Sequence, residues 1–309
     1  MTAANGKRGS QMAIIGAGSV GASIAFACLM RSVISELLIN DYDQKVAEGQ
    51  VLDLQDAAFV SNTKVRVATP SECGQADIIV VTAGAKQRPG ESRDGLVGRN
   101  EAILRSVLDG MKPLKPTAIL VLVANPVNIL TCMAQKFSGL PPNQVVGTGT
   151  YLDSIRFRVA LKNTLRVSES SVHAYVVGDH GDKQVAVWSS ASVGGKPLMS
   201  FEEIQTLDRE TLADDVAHKA YKIIDLKGAT SFGIAAVVSQ LVLSITLNRF
   251  TLMPLAVYCE RFNAVLSFPV TLGTHGVERI VYPDMDENEI KLVEASAQQT
   301  RDACKNYRD

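Results

Sequence analysis

One histidine, His180, sits between glycines and carboxylates in Val177-Gly178-Asp179-His180-Gly181-Asp182, downstream of Leu152-Asp153-Ser154-Ile155-Arg156. Imidazole titrates near neutral pH and can give or take a proton. The Arg156 guanidinium can make two parallel charge-assisted bonds, which suits it to a substrate carboxylate. Asp153 precedes Arg156 by three positions, so a helix puts both on one face. From there Asp153 can accept the second ring N–H of His180, fixing the tautomer and stabilising the protonated form. Reduction of a 2-keto acid needs this set: a bidentate cation, a proton donor for the keto oxygen, and polarisation of the charge that develops there. Taken singly, the same residues read as a surface ion pair and a loop histidine.

A second cluster, Gly16-Ala17-Gly18-Ser19-Val20-Gly21, follows an apolar strand and opens a helix. In that context Gly16 serves the tight turn, Gly18 lets backbone approach a pyrophosphate, and Gly21 allows close helix–sheet contact. The helix N-terminus offers free N–H groups to the phosphates. Asp41 ends the next strand, where its carboxylate can bind both hydroxyls of an adenosine ribose and repel a 2′-phosphate. The cofactor expected is therefore NAD rather than NADP. Asp43 competes for that assignment but falls where a helix begins, and reads as its N-cap.

These groups need a scaffold, and the chain supplies a recognisable one. Met12–Ile15, Leu37–Ile39, Val65–Val67, Asp77–Val81 and Ala118–Val123 are short apolar runs separated by helical patterns such as Ser19–Met30 and Gln44–Ala58. Such alternation predicts an α/β architecture, a doubly wound parallel sheet of the Rossmann type with both faces covered. Ser19–Met30 is apolar almost all round, as a helix buried against the sheet would be. Ala83–Gly95 reads as a long loop after a strand, placed to act as a lid. Past Gly147 the regular alternation stops. Helices at Tyr151–Leu165, Asp208–Lys227, Ser231–Leu247 and from Glu287, with strands at Val172–Val177, Val185–Val193, Leu252–Cys259 and Val265–Val270, describe a mixed α+β half. The expected division is a dinucleotide-binding domain over 1–147 and a substrate domain over 148–309.

Composition narrows the partners. With 31 basic and 32 acidic residues the net charge is −1, so bulk electrostatics favours neither nucleic acid nor an anionic membrane. The five cysteines (28, 73, 132, 259 and 304) show no metal-ligand spacing, and their odd number argues against a closed disulfide framework. No metal site is expected. The polar stretch Met1–Gln11 lacks an apolar secretory core. Ile234–Leu247, the longest apolar run, is interrupted by Ser239, Gln240 and Ser244 and is shorter than the roughly 20 residues a bilayer span needs. A cytoplasmic protein is expected.

With these residues in order, the chain resembles the L-lactate dehydrogenases of the lactate/malate dehydrogenase superfamily. The resemblance runs from Gly16 to the C-terminal helix. It rests on the glycine cluster, Thr82-Ala83-Gly84, Pro89-Gly90-Glu91-Ser92-Arg93, Asn125-Pro126-Val127, Leu152-Asp153, Gly178-Asp179-His180-Gly181-Asp182 and Lys227-Gly228-Ala229-Thr230. It implies that His180 is the proton donor and acceptor with Asp153 as partner, and that Arg156 binds the substrate carboxylate. It further implies that Arg93 polarises the carbonyl from the lid, that Asn125 contacts substrate and nicotinamide, and that Thr230 lines the pocket. Asp179 departs from the pattern, which carries glutamate before the histidine.

The resemblance also places the discriminating residue at Gln87, where malate dehydrogenases carry arginine to pair a second carboxylate. A neutral glutamine leaves that carboxylate unpaired in a closed site, which is costly. Pyruvate and lactate are thus expected over oxaloacetate and malate. Arg88 would reverse this after a one-residue slip, but the spacing from Gly84 to Arg93 needs no gap. The alternatives are a malate or branched 2-hydroxy acid dehydrogenase and a catalytically idle NAD-binding protein. The last would be expected to lack one of His180, Arg156 or Arg93, and all three are present.

Arg158 lies two positions beyond Arg156, on the opposite side of the helix, and cannot serve the same carboxylate. In relatives activated by fructose 1,6-bisphosphate, the arginine and histidine at the positions of Arg158 and His173 bind the effector across a subunit interface. Both residue types are here. The apolar Ser19–Met30 and Ile234–Leu247 helices carry surplus hydrophobic surface, and the resemblance implies a homotetramer or dimer.

Overall fold

The computed structural model describes residues 10–85 and 93–307. In the first half β1 (Gln11–Ile15), α1 (Ser19–Arg31), β2 (Glu36–Asn40), α2 (Gln44–Ala57), β3 (Lys64–Val67), α3 (Pro70–Cys73) and β4 (Ile78–Val81) alternate. They are followed by α4 (Arg93–Met111), β5 (Ile119–Leu122), α5 (Val127–Ser138) and β6 (Val145–Gly147). The six strands form a parallel array in the order β3-β2-β1-β4-β5-β6. Every residue of β4 and β5 is buried, because helices cover both faces; hence their unbroken apolar sequences. Strand order reverses between β1 and β4. Ligands of such sheets bind beyond the carboxyl ends of the strands at that crevice. The Gly16–Gly21 turn leaves β1 there, and Thr82–Ala85 leaves β4 beside it.

The second half comprises α6 (Tyr151–Leu165), β7 (Val172–Gly178), β8 (Gln184–Val193), β9 (Lys196–Pro197), α7 (Glu202–Gln205), α8 (Arg209–Lys227) and α9 (Phe232–Thr246). After these come β10 (Thr251–Cys259), β11 (Ala264–Gly273), β12 (Gly276–Ile280) and α10 (Glu287–Ala303). Its strands pair antiparallel. One narrow junction joins it to the rest, Ala256 of β10 to Gly147 of β6, and a second narrow junction lies within it, Ser267 of β11 to Gly178 of β7. The described strands therefore belong to one continuous sheet of twelve. The second junction matters for function, since it fixes the start of the His180 loop against β11.

The fold class matches the sequence reading, and three local expectations need correction. The loop expected over Ala83–Gly95 is shorter, because α4 already begins at Arg93. Gly95 and Gly98 weaken the helical pattern of its first turns, while Asn100, Leu104, Leu108 and Met111 form its buried face. Helix α1 is not buried all round. Ile24, Ala25, Cys28 and Leu29 are buried, but Phe26 and Met30 are 48% and 51% exposed. The helix packs against α9 and leaves that side of it uncovered. Third, α3, α4, α5, β6, β9, α7 and β12 were not anticipated. All five cysteines are buried, as small core residues, and no disulfide joins them.

Candidate active site

The glycine turn is shaped for close approach. Gly16 has φ +103°, and a Cβ there would lie 2.7 Å from both Ala83 N and Thr82 Oγ1. The Thr82 hydroxyl donates to Gly16 O at 2.7 Å, bracing the turn from β4. A Cβ on Gly21 would meet Gly16 O at 1.9 Å, so only glycine lets α1 sit this close to the turn. Gly18 is the N-cap of α1. Its side has open space, and no side chain caps the helix. The first-turn N–H groups are left for an anionic ligand. The Asp41 carboxylate accepts from Ala17 N–H at 2.6 Å and from Asp43 N–H at 2.9 Å. It thus ties the end of β2 to the turn while keeping lone pairs for ribose hydroxyls. Asp43 caps α2 by accepting from Lys45 N–H at 3.0 Å, as its position suggested. An open helix N-terminus, an uncrowded glycine and a strand-end carboxylate fit a dinucleotide.

The chemistry-bearing residues of the second half converge. Asp153 lies in the first turn of α6, fully buried. Its Oδ2 is 2.7 Å from His180 Nδ1, and its Oδ1 accepts from Arg156 Nη1 at 3.1 Å. Arg156 is 8% exposed, and the His180 side chain 26%. One carboxylate therefore holds an imidazole and a guanidinium at once. Burial by itself would raise the Asp153 pKa, but the His180 and Arg156 charges and hydrogen bonds outweigh it and hold the carboxyl below the usual range. For His180, burial favours the neutral ring. The charge and hydrogen bond of Asp153, helped by Asp179 and opposed by Arg156, reverse that and push the imidazole above its ordinary value.

Buried polar side chains set this geometry, and the sequence reading did not identify them. Thr150 and Ser154 flank Asp153 on α6, and both hydroxyls donate to Val176 O of β7, docking the helix on the strand that leads to His180. Ser154 Oγ also accepts from Val176 N–H at 2.9 Å. Asn128, in the first turn of α5 and wholly buried, accepts from His180 N–H at 3.4 Å. Ser296 of α10 accepts from Asp179 N–H at 2.7 Å. Buried Asn100 of α4 accepts from Ala85 N–H at 2.7 Å and donates to Asn125 O at 2.8 Å. It links the root of the expected lid to the β5–α5 turn. The available signal was a polar residue on the apolar side of each helical pattern.

The other expected site residues are placed as follows. Asn125 is exposed in the turn after β5, joined to Pro126 by a cis peptide bond. Thr230 is half-buried in the link between α8 and α9. That link lies near the cluster, because Gly233 of α9 packs on Leu152, with a Cβ there 3.1 Å from Leu152 Cδ1. Arg93 opens α4. Its side chain, and Gln87 and Arg88 entirely, lie outside the described residues. Arg158 faces away from Arg156, as expected, and its Nε donates to Ala174 O at 2.9 Å. Its guanidinium lies 4.9 Å from the Tyr175 ring centroid and 3.9 Å from Glu169. His173 is exposed on β7. Among the described residues no group of three or more His, Cys, Asp or Glu could hold a metal ion. No described helix is long and apolar enough to cross a membrane.

A doubly wound dinucleotide fold, followed by a domain that presents an Asp–His pair beside a buried arginine, defines the NAD-dependent 2-hydroxy acid dehydrogenases. The chain belongs to the lactate/malate dehydrogenase family: residues 10–147 match its NAD binding domain and residues 150–308 its alpha/beta C-terminal domain. It is 48% identical over 290 residues to L-lactate dehydrogenase A of Rhizopus oryzae, covering 93% of this chain and 91% of that one. With the L-lactate dehydrogenase of Gloeobacter violaceus it shares 39% identity over 299 residues, covering 94% and 91% of the two chains. Among solved structures, it superposes on a lactate dehydrogenase from a Medee basin deep-sea metagenome library with TM-score 0.92 at 31% identity, covering 98% and 100%. The minor L-lactate dehydrogenase of Enterococcus mundtii gives TM-score 0.90 at 36% identity, covering 97% and 98%.

Proposed function

We propose that this chain catalyses the reversible NAD-dependent reduction of pyruvate to L-lactate. The observation that carries the reading is Asp153, one buried carboxylate held between the His180 imidazole and the Arg156 guanidinium. NADH, when bound, supplies a hydride to the keto carbon. Arg156 clamps the substrate carboxylate with two parallel hydrogen bonds. His180, as the imidazolium, donates its Nε2 proton to the keto oxygen, while Asp153 on Nδ1 stabilises the charged ring and holds its orientation. In the reverse direction the neutral ring takes the hydroxyl proton. Arg93 polarises the carbonyl, Asn125 contacts substrate and nicotinamide, Thr230 lines the pocket, and Gln87 leaves a second carboxylate unpaired. Gly16, Gly18, Gly21 and Asp41 hold NAD. The division of labour is a cofactor domain over 1–147 and a substrate domain over 148–309. The setting is cytoplasmic, in fermentative glycolysis.

The test is NADH oxidation with pyruvate, oxaloacetate and 2-oxoisocaproate in parallel. Pyruvate is expected to give the highest kcat/KM, and a preference for oxaloacetate would overturn the reading of Gln87. Loss of activity in His180→Gln checks the proton donor.

Two further parts of the reading concern assembly and regulation. A homodimer or homotetramer would cover Phe26, Met30 and Phe232, which line a groove of about 660 Å³ among α1, α2 and α9. Light scattering of the purified protein measures this, and a monomer at micromolar concentration counts against it. Arg158 and His173 would bind fructose 1,6-bisphosphate across such an interface. Activity at low pyruvate with and without the bisphosphate decides that point. Indifference to the effector would agree with the intramolecular partners that Arg158 already has in Ala174 O and Glu169.

A further inference from the structure

The residues that hold His180 come from elements far apart in sequence, and one of them spans three segments. Asn128 has no solvent exposure. Its Oδ1 accepts from His180 N–H at 3.4 Å, and its Nδ2 donates to Gly178 O at 3.2 Å and to Val265 O at 3.3 Å. It stands three positions after Asn125, on the helix that follows the end of β5. One amide therefore connects the cofactor-side turn, the two ends of the Gly178–His180 bend, and β11. The bend is held from other elements. Gly178 sits at φ +90°, and the backbone N–H of Asp179 is held by a serine from α10. We infer that Asn128 is a positioning residue for proton transfer, fixing the His180 backbone so that its ring meets Asp153 on one side and substrate on the other.

Physical chemistry favours this over a role in fold stability alone. A buried primary amide has two donors and an acceptor, and here all three kinds of partner are backbone groups of the loop and its neighbouring strand. Losing the amide leaves the His180 N–H without this acceptor and frees the loop to drift. Displacement of a reacting group by about 1 Å costs on the order of 100-fold in rate. The groups facing His180 are Asp153 and Arg156 from α6 and Asp179 within the bend. Asn128 and Ser296, which hydrogen-bond to the bend, carry no charge, and the charged Asp182 and Lys183 follow it in the chain.

The inference rests on His180 being the acid/base, so its test reads the ring directly as well as turnover. The chain has four histidines, which makes an NMR titration of the unliganded protein practical, with the His180 resonance identified by its loss in His180→Gln. In Asn128→Ala the ring slackens against Asp153, and its titration moves to lower pH. Turnover of pyruvate falls about 10- to 100-fold, while KM for pyruvate and NADH stays within about threefold, the pattern of an interaction that matters in the transition state. Asn128→Asp keeps the acceptor for His180 N–H and adds a negative charge beside the bend. It turns the Nδ2 donor into an oxygen facing Gly178 O and Val265 O, so it moves the titration to higher pH and recovers only the part of the rate that depends on the His180 N–H. An Asn128→Ala protein with wild-type His180 titration and kcat within twofold overturns the inference. Should the alanine variant fail to fold, Asn128→Asp decides alone through its kinetics: a kcat lowered at least threefold with KM within threefold supports the assignment, and a wild-type kcat refutes it. A different failure is distinguishable. If His180→Gln remains active, the acid/base reading falls, whatever Asn128 does to the ring.

Discussion

Replacing Asp153 by asparagine separates charge from shape at the centre of the site. The amide oxygen can still accept from His180 Nδ1–H, so the ring keeps its tautomer and direction. What disappears is a negative charge whose Oδ2 lies 2.7 Å from the ring nitrogen. With charge centres about 4 Å apart, that attraction is about 4 kcal/mol at an effective dielectric of 20. His180 is 26% exposed, and solvent screens part of it. Roughly 2–3 kcal/mol then acts on the imidazolium, which corresponds to a loss of about 30- to 150-fold in pyruvate turnover at neutral pH.

The sign of the pH effect follows from the same geometry. With His180 as the proposed acid, pyruvate reduction needs the protonated ring, so its rate falls as pH rises through the His180 pKa, which Asp153 holds above the ordinary histidine value. In Asp153→Asn that limb moves to lower pH, because burial and Arg156 then act without the opposing carboxylate. Arg156 meanwhile loses its internal anion, so KM for pyruvate should hold steady or drop while kcat falls. The assay is steady-state NADH oxidation across pH 5.5–9, with circular dichroism and Tm to confirm folding, because removing one partner of a buried ion pair destabilises by a few kcal/mol. A folded Asp153→Asn enzyme whose kcat stays within threefold of wild type and whose pH limb is unmoved would refute the role given to Asp153.

Other outcomes follow from the same site. Lactate oxidation, which needs the neutral ring, should gain with rising pH over the range where pyruvate reduction declines; matching limbs in both directions would exclude His180 as the shared group. Arg156→Lys gives up the bidentate fork and should lower kcat/KM for pyruvate about 100-fold, with the dissociation constant of NADH unchanged by fluorescence titration. Gly21→Ala places a Cβ 1.9 Å from Gly16 O, and the turn must open to accommodate it. NADH binding should weaken at least tenfold, or about 1.4 kcal/mol, with a lower Tm. Gln87→Arg should raise kcat/KM for oxaloacetate and lower it for pyruvate, measured with both keto acids.

How much of this was legible beforehand depended on the range of the interaction. The glycine turn, the strand-end Asp41 and the Asp153–Arg156 spacing are local patterns. Each carries its geometric consequence within one element, and the structure places each where its spacing implied. Helix α4 was not read at all: Gly95 and Gly98 depress helical propensity at its start, although Leu104, Leu108 and Met111 pack it firmly further along. The surplus apolar surface of α1 was readable, but not that Phe26 and Met30 would carry it, because an apolar residue gives the same letter whether it faces the sheet or the outside.

The least legible residues are the ones that turn separate motifs into a site. Thr150, Ser154, Asn128, Ser296 and Asn100 are ordinary polar letters, the first at the N-cap of α6 and the others within helices. Their partners are backbone atoms of other elements: Val176 of β7, His180 and Asp179 of the bend, and Ala85 and Asn125 of two strand-end turns. A backbone partner leaves no complementary residue type in the sequence, so no pairing of letters could suggest it. These contacts are nonetheless placed where precision matters most. Buried hydrogen bonds are costly to leave unmade, so the loop is restricted to positions that satisfy all of them together. The residue types proposed for catalysis came from motifs, while the distances between them are set by neutral side chains bonded to backbone atoms.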